Sequence, residues 1–522
     1  MTLFSDLKKI QSPTGVLENV YKKISSTDKF AYCAGAIFCL LVNAFIYTNT
    51  CFAHDSIQIF SDSTGISNGR FLVGPLLELV NRMQIPWVIG LITCFLMGFV
   101  IVFLSKIFKL NNKISIVLCA GFVVTSEAMV VSHAYFSSVY IYVLSLLFAV
   151  LSVYIVDKKR YGIPLSIVFL CLSMMCYQAY IATAIALFIF KMLLNIFDNK
   201  SGIKHQLLLT VKYASISVAA AVLYYAIWKI VLKILGETVV EYYAYNNLGV
   251  IPTTEELIDR LDYAWSFAIQ LFYRNDIINT FPALMMCGCL ISIIVLSVFI
   301  IKSIKRRRLV FTLVYIVTYI LSVNLMYIIS GTVIHSLTVF SIILPFLALL
   351  YLFDNVFSKK KSYNIVSWLS LILSVVMVFG QSVCANSLYL KIKLNYDNAW
   401  SYSTRLIDRL EQTEGFDENS KVIIISNDSF SPTKYPPNPN ISERVRYDTR
   451  IQILNDFFRS GNAITYTDTL KWFIQQEMDM NIDITTNPKE FVEREDIREM
   501  PVFPAEESIA VIDGAYVIKI SD

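Results

Sequence analysis

Charge is what this sequence has least of. Of 522 residues only 44 are Lys or Arg and 40 are Asp or Glu, or 16%, against about 25% in an average soluble protein. Apolar residues make up 56%, and mean hydropathy is +0.58. These figures exclude a purely soluble enzyme, and equally a disordered or collagen-like chain. A net charge of +4 is too small to argue for nucleic acid. Histidine is rarer still, with four residues. No Cys-x-x-Cys spacing, phosphate-binding glycine loop or inverted repeat occurs, and few apolar runs are broken by Gly or Pro. The usual signatures of a zinc site, a nucleotide hydrolase and an energy-coupled transporter are therefore missing. The ten cysteines lie in or beside apolar runs, and none follows residue 384. They read as small core residues rather than as disulfide partners or metal ligands.

What is there divides unevenly. Residues 386–522 hold 15 Lys/Arg and 23 Asp/Glu, about 28% charged with net charge −8, as a soluble domain does. Residues 1–385 are only about 12% charged, with net charge +12. The expected organisation is a leader at 1–29, a membrane domain at 30–385 and a water-soluble domain at 386–522.

Apolar stretches near 20 residues are span candidates, and eleven are legible: 30–53, 86–105, 114–134, 137–156, 163–178, 180–197, 209–235, 281–301, 309–329, 336–353 and 363–384. The run 163–197 is too long for one span and short for two, with Tyr177-Gln178 as the candidate turn. The loops on one side carry 23 Lys/Arg. Those on the other carry six: Arg70, Arg82, Lys229, Lys233, Arg260 and Arg274. By the positive-inside rule the N-terminus is cytoplasmic, and an odd span count puts the C-terminal domain outside. The first span follows a basic leader and reads as a retained anchor rather than a cleaved signal.

The outer side gathers the unusual residues, in loops 54–85 and 236–280. In the first loop Leu72, Leu76, Leu79, Val80 and Met83 share one helical face. In the second, Thr253 and Glu256 form a capping-box pattern ahead of the stripe Leu257, Leu261, Ala264, Trp265, Ala268 and Phe272. Both read as helices lying in the membrane interface, though a plainly anchored loop reads the same way. Asp55 is the first acid beyond span one, and Asp62 lies seven residues on. A carboxylate at a half-dry boundary can serve as general base, while the bland alternative is a solvated cap. Glu127 lies within span three, where an acid faces a site or a neighbouring span. His54, His133 and His335 fall at outer span ends, where they can donate to a phosphate or position a sugar hydroxyl. Arg70 and Arg274 suit an anionic lipid phosphate, or are headgroup anchors. Tyr177-Gln178 can bind a sugar hydroxyl, or simply close a turn.

An acid in the first outer loop, interfacial helices, about eleven spans and an outer C-terminal domain resemble the GT-C class of polyprenyl-phosphate-sugar glycosyltransferases. The segment His54–Leu77, with Asp55 and Asn68-Gly69-Arg70-Phe71, is similar to the phage-type serotype-converting glucosyltransferases of enteric bacteria, the glucosyltransferase II family. Tyr177-Gln178 is similar to that family too. The resemblance covers about residues 30–385. It implies a multi-pass inner-membrane enzyme that uses undecaprenyl-phosphate-glucose as donor and a sugar of lipid-linked O-antigen as acceptor, at the periplasmic face. Asp55 would be the base of a single inverting displacement that needs no nucleotide. The first-loop pair here is His54-Asp55 instead of two acids, which leaves any divalent metal open. To this we add Glu127 as an assisting acid and Arg70 or Arg274 on the phosphate.

The C-terminal domain reads as a small α/β unit. It has a helix over 396–414 ended by Gly415, a buried strand at Lys421–Ser426, a loop at Tyr435–Pro439, helices at 449–460 and 467–480, and a strand or hairpin at 509–520. Acceptor binding is its natural role, and a passive lid is the alternative. For the whole chain the alternatives are a non-catalytic lipid-linked glycan flippase or an O-antigen polymerase.

Overall fold

A computed structural model describes residues 12, 14, 18, 21–57, 65–158, 160–198, 202–239, 252–273, 282–305, 308–331, 336–359, 361–426, 464 and 467–521. Helix α1 (Ser26–Thr48) starts at Ser25, whose Oγ accepts the Asp28 N–H at 3.0 Å. A 3-10 turn, His54–Ile57, follows. Then come α2 (Val73–Leu77), α3 (Pro86–Ile107), α4 (Lys113–Val124), α5 (Glu127–Ser132), α6 (Val139–Ile155), α7 (Gly162–Cys176), α8 (Tyr180–Phe197) and α9 (Ile203–Leu235). The bundle continues with α10 (Thr254–Tyr273), α11 (Pro282–Lys305), α12 (Leu309–Val323), α13 (Leu325–Ser330), α14 (Leu344–Asn355) and α15 (Asn364–Glu411). Among the described residues, eight helical segments are long and apolar enough to cross a membrane, while α4, α7 and α12 are apolar but shorter. Each of the eleven apolar stretches thus contains a helix.

Small residues let the helices approach. A Cβ on Gly35 of α1 would fall 3.1 Å from the Gly98 Cα of α3, the close backbone contact that membrane helices favour. Two stretches are broken, and polar side chains take up the freed backbone groups. Between α4 and α5, Thr125 Oγ1 donates to the Gly121 carbonyl (2.8 Å) and to Gln381 Oε1 (3.0 Å), and Ser126 Oγ donates to the Val123 carbonyl (2.8 Å). Between α12 and α13, Asn324 Nδ2 donates to the Ala264 carbonyl at 2.9 Å. The run 163–197 forms two helices, with Tyr177 extended between them.

Of the two helices expected in loops 54–85 and 236–280, one forms and one does not. The 72–83 stripe does not form one helix. After α2 and a 3-10 turn, Glu78–Val80, the backbone becomes left-handed at Asn81 (φ 52°) and Arg82 (φ 55°). The chain then extends at Ile85, the conformation that the following Pro86 requires. Leu77 and Val80 are buried, but Leu79 and Met83 are exposed. Helix α10 does form, with its capping box made: Thr253 N–H donates to Glu256 Oε2 (2.8 Å) and Glu256 N–H to Thr253 Oγ1 (3.3 Å). The Thr253 N–H holds the Glu256 carboxyl below its ordinary range. Ala264 and Ala268 of its stripe are buried, because α10 packs on α11, α12 and α13.

Residue 385, where charge density changes, lies inside α15, which runs 48 residues without a break. At 1.5 Å per residue that is about 72 Å, more than twice the roughly 30 Å hydrocarbon core. Its last turns continue into the small domain, which holds β1 (Lys421–Ile425), α16 (Thr467–Trp472), β2 (Asp483–Thr486), α17 (Lys489–Val492), α18 (Glu495–Glu499), β3 (Ile509–Ile512) and β4 (Ala515–Lys519). The sheet order is β2-β1-β4-β3, with β1 parallel to both neighbours and β3–β4 an antiparallel hairpin. Asp513 (φ 51°) and Gly514 (φ 78°) make the two-residue turn, the left-handed pair that hairpin twist selects. Val422, Ile424 and Ile518 join one continuous core with Leu406 and Leu410 of α15 and with the membrane helices. Ile423 and Val517, on the opposite face, pack with Phe491 and Ile497. Burial on both faces explains why β1 and β4 are apolar runs rather than alternating ones. The sequence missed β2, whose Asp483-Ile-Thr-Thr486 run has one apolar residue. The expected loop 435–439 and helix 449–460 lie outside the described residues.

Candidate active site

Two motifs distant in sequence meet where α7 ends and α8 begins, beside the last turns of α9. Gly65 (φ 84°) and Gly69 (φ 83°) bend the chain so that the Arg70 N–H donates to the Gly65 carbonyl at 2.7 Å. Three side chains then capture neighbouring carbonyls of this loop. Trp228 Nε1 donates to Ile66 O (2.8 Å), Gln178 Nε2 to Asn68 O (2.6 Å) and the Tyr224 hydroxyl to Gly69 O (2.9 Å). Gln178 Nε2 also reaches the Tyr224 hydroxyl (3.0 Å), and its Oε1 accepts from Arg70 Nε (3.4 Å). The Arg70 guanidinium lies 4.7 Å from the Tyr177 ring centroid, and Phe71 stacks on Tyr224. At about 1 kcal/mol net per neutral bond, the four neutral bonds of this clamp contribute about 4 kcal/mol to loop order. Its product is one fixed cation, Arg70, on an aromatic floor beside an amide.

The second part of the site surrounds the His54–Ile57 turn. That turn packs against the 3-10 turn Phe136–Ser138, against α16 and against the π-helical turn Phe473–Glu477 of the C-terminal domain. The Ser56 side chain is buried, and Phe52 meets both Phe136 and Tyr396 edgewise or tilted. Tyr396 donates its hydroxyl to Glu477 Oε2 at 2.6 Å. Burial pushes the Glu477 carboxyl above its ordinary range, against the pull of that hydrogen bond. The C-terminal domain therefore stands directly on the turn that carries Asp55. The Tyr140 hydroxyl donates to the Leu76 carbonyl (2.6 Å), which ties the arginine loop to the same wall.

Glu127 is the first residue of α5, with both carboxylate oxygens shielded from solvent. A helix start suits its negative charge. Helix α5 packs on the 3-10 turn Ser336–Thr338, so the chain just past His335 comes to the helix that Glu127 begins. His133 has both ring nitrogens engaged inside the bundle: Nδ1 with the Met129 carbonyl (2.7 Å) and Nε2 with the Tyr47 hydroxyl (2.9 Å). It is 1% exposed. Its two nitrogens are thus engaged with α5 and α1. The side chains of His54 and Asp55, and the whole of Asp62, Arg274 and His335, lie outside the described residues. Among the described residues no three His, Cys, Asp or Glu gather as metal ligands.

The family profile of Glucosyl transferase GtrII matches residues 38–346. The chain belongs to the GtrII glucosyl transferase family. No curated protein and no solved structure matches it. The match spans the whole clamp, the Asp55 turn and Glu127, and it ends before α15 and the C-terminal domain. The chain is accordingly a glycosyltransferase with several membrane-length helices.

Sequence reasoning missed Tyr224 and Trp228, which stand one turn apart on α9. Aromatic residues four apart in an apolar helix carry no signal beyond core packing. It also missed Tyr396 and Glu477, which are 81 residues apart in the chain and meet only in the fold.

Proposed function

We propose that the chain transfers glucose from undecaprenyl-phosphate-glucose to a sugar of lipid-linked O-antigen, at the periplasmic face of a bacterial inner membrane, with Asp55 as general base. Asp55 takes the proton of the acceptor hydroxyl as its oxygen attacks the anomeric carbon. The bond from that carbon to the phosphate oxygen breaks, and undecaprenyl phosphate leaves. One such displacement inverts the anomeric centre.

The observation that carries this reading is the clamped arginine. Arg70 is fixed by the loop, Gln178 and Tyr177, a cation suited to the leaving phosphate. The Gln178 amide and the Tyr177 phenol beside it suit sugar hydroxyls. Glu127 and the side chains of His54, Asp62, Arg274 and His335 complete the donor and sugar contacts in this reading. The packing of α16 and the Phe473–Glu477 turn on the Asp55 turn supports an acceptor role for the C-terminal domain. A glycan held there would lie beside the base.

The test is mass analysis of surface polysaccharide with and without the protein, together with an Asp55→Asn variant. The reading expects one added hexose per repeat with the wild type and none with Asp55→Asn at equal membrane level. Continued transfer by Asp55→Asn refutes the assignment of the base. An unchanged repeat with altered chain length refutes the transfer itself.

A further inference from the structure

Helix α6 leads away from the Phe136–Ser138 turn, and 17 residues carry it about 25 Å. At its far end, on the Lys- and Arg-rich side, a cavity of about 360 Å³ is lined by Asp157, Lys158, Arg160, Ile163, Pro164 and Lys212, among others. Asp157 is one of its partly exposed lining residues. It accepts from Lys191 (2.6 Å) and Lys212 (3.0 Å), and both lysines also donate to backbone carbonyls, of Val153 and Val156 respectively. These two lysines already exceed the charge of their acid. Lys158 and Arg160 add two more cations. Their side chains lie over the rings of Tyr154 and Tyr161, and neither pairs with a carboxylate among the described residues. Beside them Tyr161, Ile163 and Leu165 are exposed.

Neither solvent suits this surface alone. Water leaves Ile163 and Leu165 unburied, and hydrocarbon leaves the cations unsolvated. An anionic amphiphile satisfies both at once, and basic pockets between membrane helices take such headgroups. We infer that this cavity binds the phosphate headgroup of an anionic phospholipid, with Lys158 and Arg160 as its principal contacts. Lys212 is held by Asp157, and the acyl chains run along Ile163 and Leu165. The site is separate from the glucosyl-transfer site and does not rest on the reading given for it.

The experiment uses the full-length protein and native mass spectrometry, titrated with phosphatidylglycerol and, in parallel, phosphatidylcholine. The wild type should retain phosphatidylglycerol selectively. Lys158→Gln/Arg160→Gln should weaken it roughly 30-fold, as expected for two cations at a membrane surface. Lys158→Arg/Arg160→Lys, which preserves charge, should hold it, and matched thermal unfolding shows that both variants fold. Retention unchanged in the neutral double variant overturns the inference. So does equal retention of phosphatidylcholine, or displacement of the lipid by equimolar inorganic phosphate, which would make the ligand a free anion.

Discussion

Gly69 is the position at which the clamp can be broken by one methyl group. Its φ of +83° already disfavours any side chain, at a cost of about 1–2 kcal/mol. A Cβ there would also collide with the Tyr224 hydroxyl, and it would stand 2.7 Å from Gln178 Nε2. Those two groups supply two of the three donors that hold the loop carbonyls, so relief of the clash loses one or two hydrogen bonds at about 1 kcal/mol each. Gly69→Ala should therefore destabilise the ordered loop by about 3 kcal/mol, enough to leave it mostly open. Arg70 would lose its seat on Tyr177, and glucosyl transfer should fall at least tenfold while the bundle core stays folded. Limited proteolysis reports the loop, thermal unfolding the bundle, and labelled-donor transfer the activity. The sharper measurement is a double-mutant cycle with Tyr224→Phe, which removes the oxygen that the new methyl meets. The two changes share one contact, so their effects should couple by about 1 kcal/mol or more, the double variant being less impaired than the sum. Full activity of Gly69→Ala, or strict additivity of the pair, would show that the loop is not held in this way.

Three further outcomes follow from the geometry. Glu477 keeps its proton above the pH at which the unfolded chain releases it, so its contribution to stability is full below about pH 4.3 and is lost as pH rises through the raised folded value. Glu477→Gln, which still accepts from Tyr396, should flatten that part of the melting-temperature profile; parallel profiles would contradict the assignment. Tyr396→Phe removes the hydroxyl donor and leaves the ring on Phe52 and Phe473. It should reduce transfer mainly through a raised KM for the acceptor, and a selective rise in donor KM would argue against the docking role. Thr253→Ala removes the cap of α10 and should speed amide exchange over its first turn about fivefold, with no change expected around Arg70.

The sequence and the fold agree where a single physical rule governs a long segment. Apolar runs had to become helices, because no other element satisfies its own backbone in lipid. Val422–Ile425 had to be a covered strand, and Thr253 with Glu256 had to cap. Agreement fails where two rules compete over a few residues. The stripe Leu72–Met83 has perfect helical spacing, yet Pro86 and the left-handed Asn81-Arg82 pair end the helix early. Residues 363–384 and 396–414 read as two elements because hydropathy changes near 385. A helix is indifferent to that change, since its hydrogen bonds are internal, and α15 runs through it.

The site shows the same division more sharply. Arg70 and Tyr177-Gln178 were visible as rare polar residues on an apolar background, and the fold joins them. Tyr224 and Trp228 were invisible, because what distinguishes them from core aromatics is the direction of one hydroxyl and one indole N–H. Those two donors give Arg70 a fixed place: each accepting carbonyl belongs to a loop that neither helix nor sheet would order. A charged group can be read from a sequence, but the neutral donors that hold it still have to be found in the fold. Variants at Tyr224 and Trp228 therefore test the site more strictly than variants at Arg70. Loss of the arginine would weaken the proposed phosphate binding wherever it sits, whereas loss of a donor would matter only if this loop is the one that positions it.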